Sequence, residues 1–152
     1  MSEISRISDQ LQRAVEGNAW HGPAVLEVLQ EVTTEQALKK PITATHNIWE
    51  IVLHITAWHL AVTQRLEGYQ VELSKEEDWP PTNNNGVKNS WNSAVNLLTE
   101  SYKNLLKKVS SLSDSDLNKT VPGRDHSVYF LLHGIIQHDL YHAGQIAILR
   151  KT

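Results

Sequence analysis

The chain has 152 residues, 40% of them hydrophobic, and a formal charge of -3. That is enough for one domain with a sizeable core, without the basic surplus expected of a nucleic-acid or anionic-membrane partner. Its apolar runs are too short and too often broken by His, Gly or Gln to cross a bilayer, and Met1-Ser2-Glu3 does not begin a signal peptide, so a cytoplasmic protein is expected. With no cysteine, disulfides, thiolate ligands and a thiol nucleophile of its own are excluded, and any thiol chemistry must borrow its thiol.

The periodicity is helical. Ile4, Ile7, Leu11, Ala14 and Val15 recur at steps of three and four and predict a first long helix, closed by Gly17-Asn18. Pro23 suits the first turn of a short piece running from Ala24 to Gln30. Thr33 and Gln36 have the spacing of a capping box for one further turn before Pro41. Asn47 and Glu50 repeat that signal ahead of a long helix from Ile48 to about Glu67, with Ile51, Ile55, Trp58, Val62 and Leu66 on one side and Gly68 as its stop.

Residues 68–86 hold Asp78-Trp-Pro-Pro and Asn83-Asn-Asn-Gly86, too many breakers for regular structure and length enough to cross a bundle. Val87, Trp91, Ala94, Leu98, Tyr102, Leu105 and Val109 then describe the cleanest amphipathic helix. After a turn at Pro122-Gly123, Ser127 is a suitable N-cap for a last long helix from Val128 to Arg150. There is a weak internal echo: segment 32–38 precedes the second long helix much as 112–117 precedes the fourth. Four long amphipathic helices and one long central connection predict an all-α four-helix bundle over residues 1–152.

The last helix contains 137-QHDLYHAGQI-146. At about 100° per residue, His142 falls about 40° from His138, inside the stripe that carries Leu131, Ile135, Ile146 and Leu149. Burying an unpaired polar group costs about 1–3 kcal/mol, so two core imidazoles need partners. Hydrogen bonds satisfy a lone core histidine, whereas one metal ion satisfies an i, i+4 pair at once, with a third ligand from another helix and positions left open. The second long helix offers His54 or His59, about 140° apart, and counting does not choose between them. His133 falls away from the core stripe and is expected to be solvated or in a surface contact. Asp139, about 100° from His138, is expected to face solvent.

The segments 48-IWEIVLHITAWH-59 and 134-GIIQHDLYHAGQIAILRK-151, with 17-GNAWHGP-23 and 78-DWPP-81, resemble the DinB superfamily of metal-binding helical bundles, which includes the YfiT-like proteins. The resemblance implies an up-down-down-up bundle, commonly a homodimer, holding a divalent ion such as zinc or nickel. It also implies one ligand from the second helix and two from the fourth, which map to His54, His138 and His142.

Three neutral imidazoles leave the ion's charge uncompensated, which favours hydroxide, thiolate or carboxylate as a further ligand. The resemblance further implies transfer or isomerisation of a small-molecule substrate with a low-molecular-weight thiol, such as bacillithiol or mycothiol. The alternatives are a metal-dependent hydrolase and a non-catalytic bundle stapled by its metal. A di-iron centre is disfavoured because its repeated Glu-x-x-His pattern is missing. No catalytic base is assigned. Glu50 fits a cap as well as a base, Gln145 is placed to orient a ligand or to join helices by a hydrogen bond, Tyr141 is within reach of the pocket edge but is expected to be exposed or interfacial, and Trp58 is expected to line the metal cavity or the core.

Overall fold

The computed structural model describes residues 1–43, 45–82 and 90–152. Among them the regular structure is helical: α1 (Glu3–Val15), α2 (Val25–Val28), α3 (Thr34–Leu38), α4 (Ile48–Leu66), α5 (Lys75–Asp78), α6 (Trp91–Ser110) and α7 (Val128–Leu149), with a 3-10 turn at Asp114–Asn118. An isolated antiparallel bridge joins Thr120 and Ser127. None of these helices is long and apolar enough to cross a membrane.

Each long helix begins where a short polar side chain can take up a free amide. The oxygens of Ser2, Asn47, Ser90 and Ser127 accept from the N–H three residues on, replacing partners that the first turn lacks. The boxes read from Thr33–Gln36 and Asn47–Glu50 are both formed. Gly68, with φ of +99°, turns the chain after α4, a conformation that a Cβ would strain. The short piece expected from Ala24 to Gln30 is only one turn, Val25–Val28 with Ala24 at its cap, so Pro23 stands just before the helix and not in its first turn.

The four long helices close around one core. Both α1 and α4 pack against α6 and α7. Trp49 and Trp91, in the first turns of α4 and α6, approach to 5.7 Å between ring centroids, and Trp91 Nε1 donates to the Val32 carbonyl at 2.7 Å. Leu98, Leu105, Leu132 and Ile146 are completely buried; each contributes about 1.5–3 kcal/mol of transfer free energy. Close by, Arg150 donates to Val28 O at 2.9 Å, tying the end of α7 to α2.

The connection expected to be irregular contains α5. Ser74 and Glu77 cap it reciprocally, Glu77 N to Ser74 Oγ at 3.2 Å and Ser74 N to Glu77 Oε2 at 2.8 Å. Asn83 to Gly86 and Val87, read as loop and helix start, lie outside the described residues. The start of α4 is the point from which His54 is positioned, and there Asn47 Oδ1 accepts from Glu50 N at 2.8 Å while Glu50 Oε2 accepts from Asn47 N at 2.9 Å. Asn47→Ala is therefore expected to lower the unfolding free energy by about 1–2 kcal/mol, measured by urea denaturation, with a shift in midpoint and an unchanged slope.

Candidate metal centre

One turn and a half into α4, His54 faces the two α7 histidines that helical spacing places on one side. His54 Nε2 and His138 Nε2 lie 3.0 Å apart, and one ring nitrogen from each of His54, His138 and His142 falls within 4.8 Å of the others. His54 and His142 are buried and His138 is half-buried. Tetrahedral nitrogens bound at about 2.0–2.1 Å from an ion stand roughly 3.3 Å apart, so small side-chain adjustments would let all three bind one ion.

The hydrogen bonds around the cluster select the ring nitrogen. His54 Nδ1 lies 2.6 Å from the Asp78 carbonyl oxygen, which can only accept, so Nδ1 carries the proton and Nε2 keeps its lone pair. His142 Nδ1 lies 2.6 Å from Gln145 Oε1 and is held in the same tautomer. The buried His138 Nδ1 has no hydrogen-bond partner among the described residues; the nearest carboxylate oxygen, Asp139 Oδ1, is at 3.8 Å. A proton on that nitrogen would face the carboxylate and leave a third Nε2 lone pair turned to the cluster. Three such lone pairs repel one another unless a cation or proton lies among them, and that is the fit to a metal ion. Burial pushes the pKa of His142 down to about 4, with the nearby His138 adding to the effect. Burial likewise lowers that of His54, so both rings favour the neutral form that binds metal.

Aromatic rings wall the cluster. Trp79, carried just beyond α5, stacks on His54 with centroids 3.8 Å apart and planes 5° from parallel, while His46 stacks on its other face at 3.5 Å. Trp58 Nε1 donates to Asp78 Oδ1 at 2.7 Å. A cavity of about 420 Å³ reaches His138 between α4 and α7, and a second, of about 380 Å³, reaches His142 beside Trp79, Tyr141 and Gln145.

His59 stands elsewhere. It is completely buried, and its Nε2 lies 3.0 Å from both carboxylate oxygens of Asp139, also completely buried. This corrects the expectation that Asp139 faces solvent. The angular estimate located Asp139 relative to His138 but not relative to α4, whose packing covers that side of α7. Burial opposes the charged carboxylate, yet His59 and the neighbouring His138 outweigh it and hold the Asp139 pKa below its ordinary value. His133 is half-buried against the exposed Tyr129, with centroids 4.3 Å apart, the surface contact of the two expected alternatives. Glu50 is occupied by the cap of α4, by Lys40 at 2.9 Å and by His46 at 3.2 Å; Tyr141 is exposed at the mouth of the second cavity.

Sequence reasoning did not single out Asp78 and Trp79 as neighbours of His54. The Ser74-x-x-Glu77 spacing could have revealed α5, which delivers them. The partnership of His59 with Asp139 spans 80 residues and leaves no local signal. Removing His59 strands the buried carboxylate, so His59→Ala is expected to cost about 3–5 kcal/mol, read from denaturant unfolding at neutral pH.

Comparison with curated proteins and with solved structures finds no match. A family model described as the DinB superfamily matches residues 19–146, a span that contains the whole three-histidine cluster and most of the helical core. The chain belongs to the DinB superfamily.

Proposed function

We propose that this protein is a metal-dependent enzyme whose divalent ion, zinc or nickel, is held by His54, His138 and His142, and that it transfers a low-molecular-weight thiol to or from a small-molecule substrate. The observation that carries the metal reading is the convergence of the three rings with Nδ1 of His54 and of His142 engaged elsewhere. Among the described residues no further His, Asp or Glu joins the group, an arrangement that favours an open coordination position over a closed structural site. Membership of the DinB superfamily supports the same ligand set.

A divalent ion held there would supply Lewis acidity, stabilising an anionic nucleophile such as a thiolate near neutral pH. The chain does the positioning. Asp78 and Gln145 orient two of the ligands through their outer nitrogens, Asp139 places negative charge behind the third, and Trp79 excludes water from one face of His54. The absence of cysteine suits a borrowed thiol. The cavities reaching His138 and His142 give two substrates separate approaches, which favours transfer between two molecules over hydrolysis of one.

The same reading takes the bundle as up-down-down-up. The parallel approach of α4 and α6 at Trp49 and Trp91, and that of the α1 end to α6 through Tyr102 and Glu16 at 2.9 Å, support that order. It takes the protein as a cytoplasmic homodimer, for which the fully exposed Trp20 offers contact area; light scattering is expected to give twice the chain mass at micromolar concentration, and a monomer throughout would refute it.

Metal analysis of purified protein is expected to find about one divalent ion per chain, lost on His54→Ala, His138→Ala or His142→Ala and kept on His133→Ala. Retention of full occupancy by all three variants would remove the site. Protons compete with the ion for neutral imidazole, so occupancy falls as pH falls. Because the values for His54 and His142 are lowered, the fall is expected to begin below the ordinary histidine pKa of about 6.5, checked by metal retention after dialysis across pH 4–8. Turnover assays with a panel of low-molecular-weight thiols test the reaction; activity that persists without any thiol would favour hydrolysis.

A further inference from the structure

The cavity that reaches His138 ends in an unusual pair of cations. Arg65 is 95% removed from solvent, with only 5% of its surface exposed, and no carboxylate among the described residues lies within 4.0 Å of it. Its Nε and Nη2 both donate to a single acceptor, the Val71 carbonyl, at 3.3 and 2.9 Å. Arg124 Nη2 donates to the same oxygen at 3.1 Å. Two guanidinium groups therefore converge on one neutral oxygen, which has two lone pairs for three donors. Glu72, 70% exposed, lies 3.5 Å from Arg124 and offsets part of its charge; Asp125 stands exposed at the rim, and neither carboxylate reaches Arg65. Burial, and then the adjacent Arg124 charge, lower the pKa of Arg65. A buried cation of this kind ordinarily has a bidentate anion partner.

Apart from His126, the rest of the cavity wall is apolar. Val62, Phe130, Leu131 and Ile135 line it, and Trp58 presents its ring 5.4 Å from Arg65 Cζ. The space runs along α4 and α7 from the Arg65 guanidinium at one end to His138 at the other. We propose that this cavity binds a small amphiphilic carboxylate, its apolar body against Trp58 and its carboxylate forked by Arg65 and Arg124. With Glu72 set against Arg124, the cation left without a carboxylate is Arg65, and one such charge matches a monoanion better than a doubly charged phosphate. That this ligand is a reactant, with its other end toward His138, rests on the metal-enzyme reading above; the binding itself does not.

Calorimetric titration of metal-free protein with octanoate, octanamide and octyl phosphate tests it. Octanoate is expected to bind at least tenfold more tightly than octanamide, and Arg65→Gln or Arg124→Gln to remove that preference while leaving octanamide unchanged. Circular dichroism monitors folding, and Arg124→Gln, at a half-buried position, decides the matter if Arg65→Gln does not fold. Equal binding of octanoate and octanamide, or wild-type octanoate affinity in the folded Arg variants, overturns the proposal. Tighter binding of octyl phosphate overturns the carboxylate class, and loss of octanoate binding on Ile148→Trp, which fills the other cavity, overturns the location. Metal stoichiometry, measured separately, distinguishes the two readings: metal bound without carboxylate preference sinks only this one, and the reverse result sinks only the metal site.

Discussion

The contact between His59 and Asp139, 3.0 Å long and wholly inside the core, constrains the rest of this molecule. A carboxylate cannot be buried there without a partner, because desolvation of an isolated charge would cost several kcal/mol. The only way to supply that partner is to bring α4 and α7 into one axial register, with His59 beside Asp139. Once that register is set, His54, one turn and a little more toward the start of α4, meets His138 and His142. Slipping α7 by a residue would strand the pair and disperse the cluster together. Ser101 on α6, whose hydroxyl donates to Leu98 O at 2.8 Å and lies 3.4 Å from His59 Nδ1, extends the same polar seam to a third helix.

Around that seam, polar groups are distributed so that His54 and His142 each have one ring nitrogen engaged and one free, while His138 Nδ1 faces Asp139 Oδ1 at 3.8 Å. The long connection between α4 and α6 is central to this. Its short helix α5 ends at Asp78, whose carbonyl accepts a hydrogen bond from His54 Nδ1 and whose carboxylate accepts one from the Trp58 indole N–H. Trp79 follows immediately and lies flat on the His54 ring. One turn of helix thus sets a tautomer, orients an aromatic wall and lowers the local dielectric at the same place. A loop without that turn could not hold a carbonyl and an indole in fixed positions, since the entropy of ordering each residue is about 1–2 kcal/mol.

The cavity at His138 shows a different kind of constraint. Trp58 lies between Asp78 and Arg65, so the ring that borders the histidine cluster also faces the buried guanidinium. The polar elements at the two ends of the cavity are joined through one apolar residue. Shape and charge there are set together.

Much of this was legible in the chain itself. Helices form where apolar residues recur at 3.6, and caps form where Ser, Thr or Asn precedes the first turn; both are local rules. The full box with Gln or Glu three residues on caps α3 and α4, while Ser90 and Ser127 alone cap α6 and α7. The pairing of His138 with His142 on one side of α7 follows from the helical repeat alone, and the resemblance to a bundle family pointed to His54 in place of His59. What the repeat cannot contain is the environment on the far side of a helix. Asp139 reads as a solvent-facing residue by angle from His138, yet α4 covers it; Asp78, Trp79 and Arg65 carry no periodic signal linking them to the site. Local sequence determines the direction of a side chain relative to its own helix axis. Only the packing of one helix on another decides what that direction meets, because the deciding contacts join residues tens of positions apart whose proximity costs nothing until the whole core has formed.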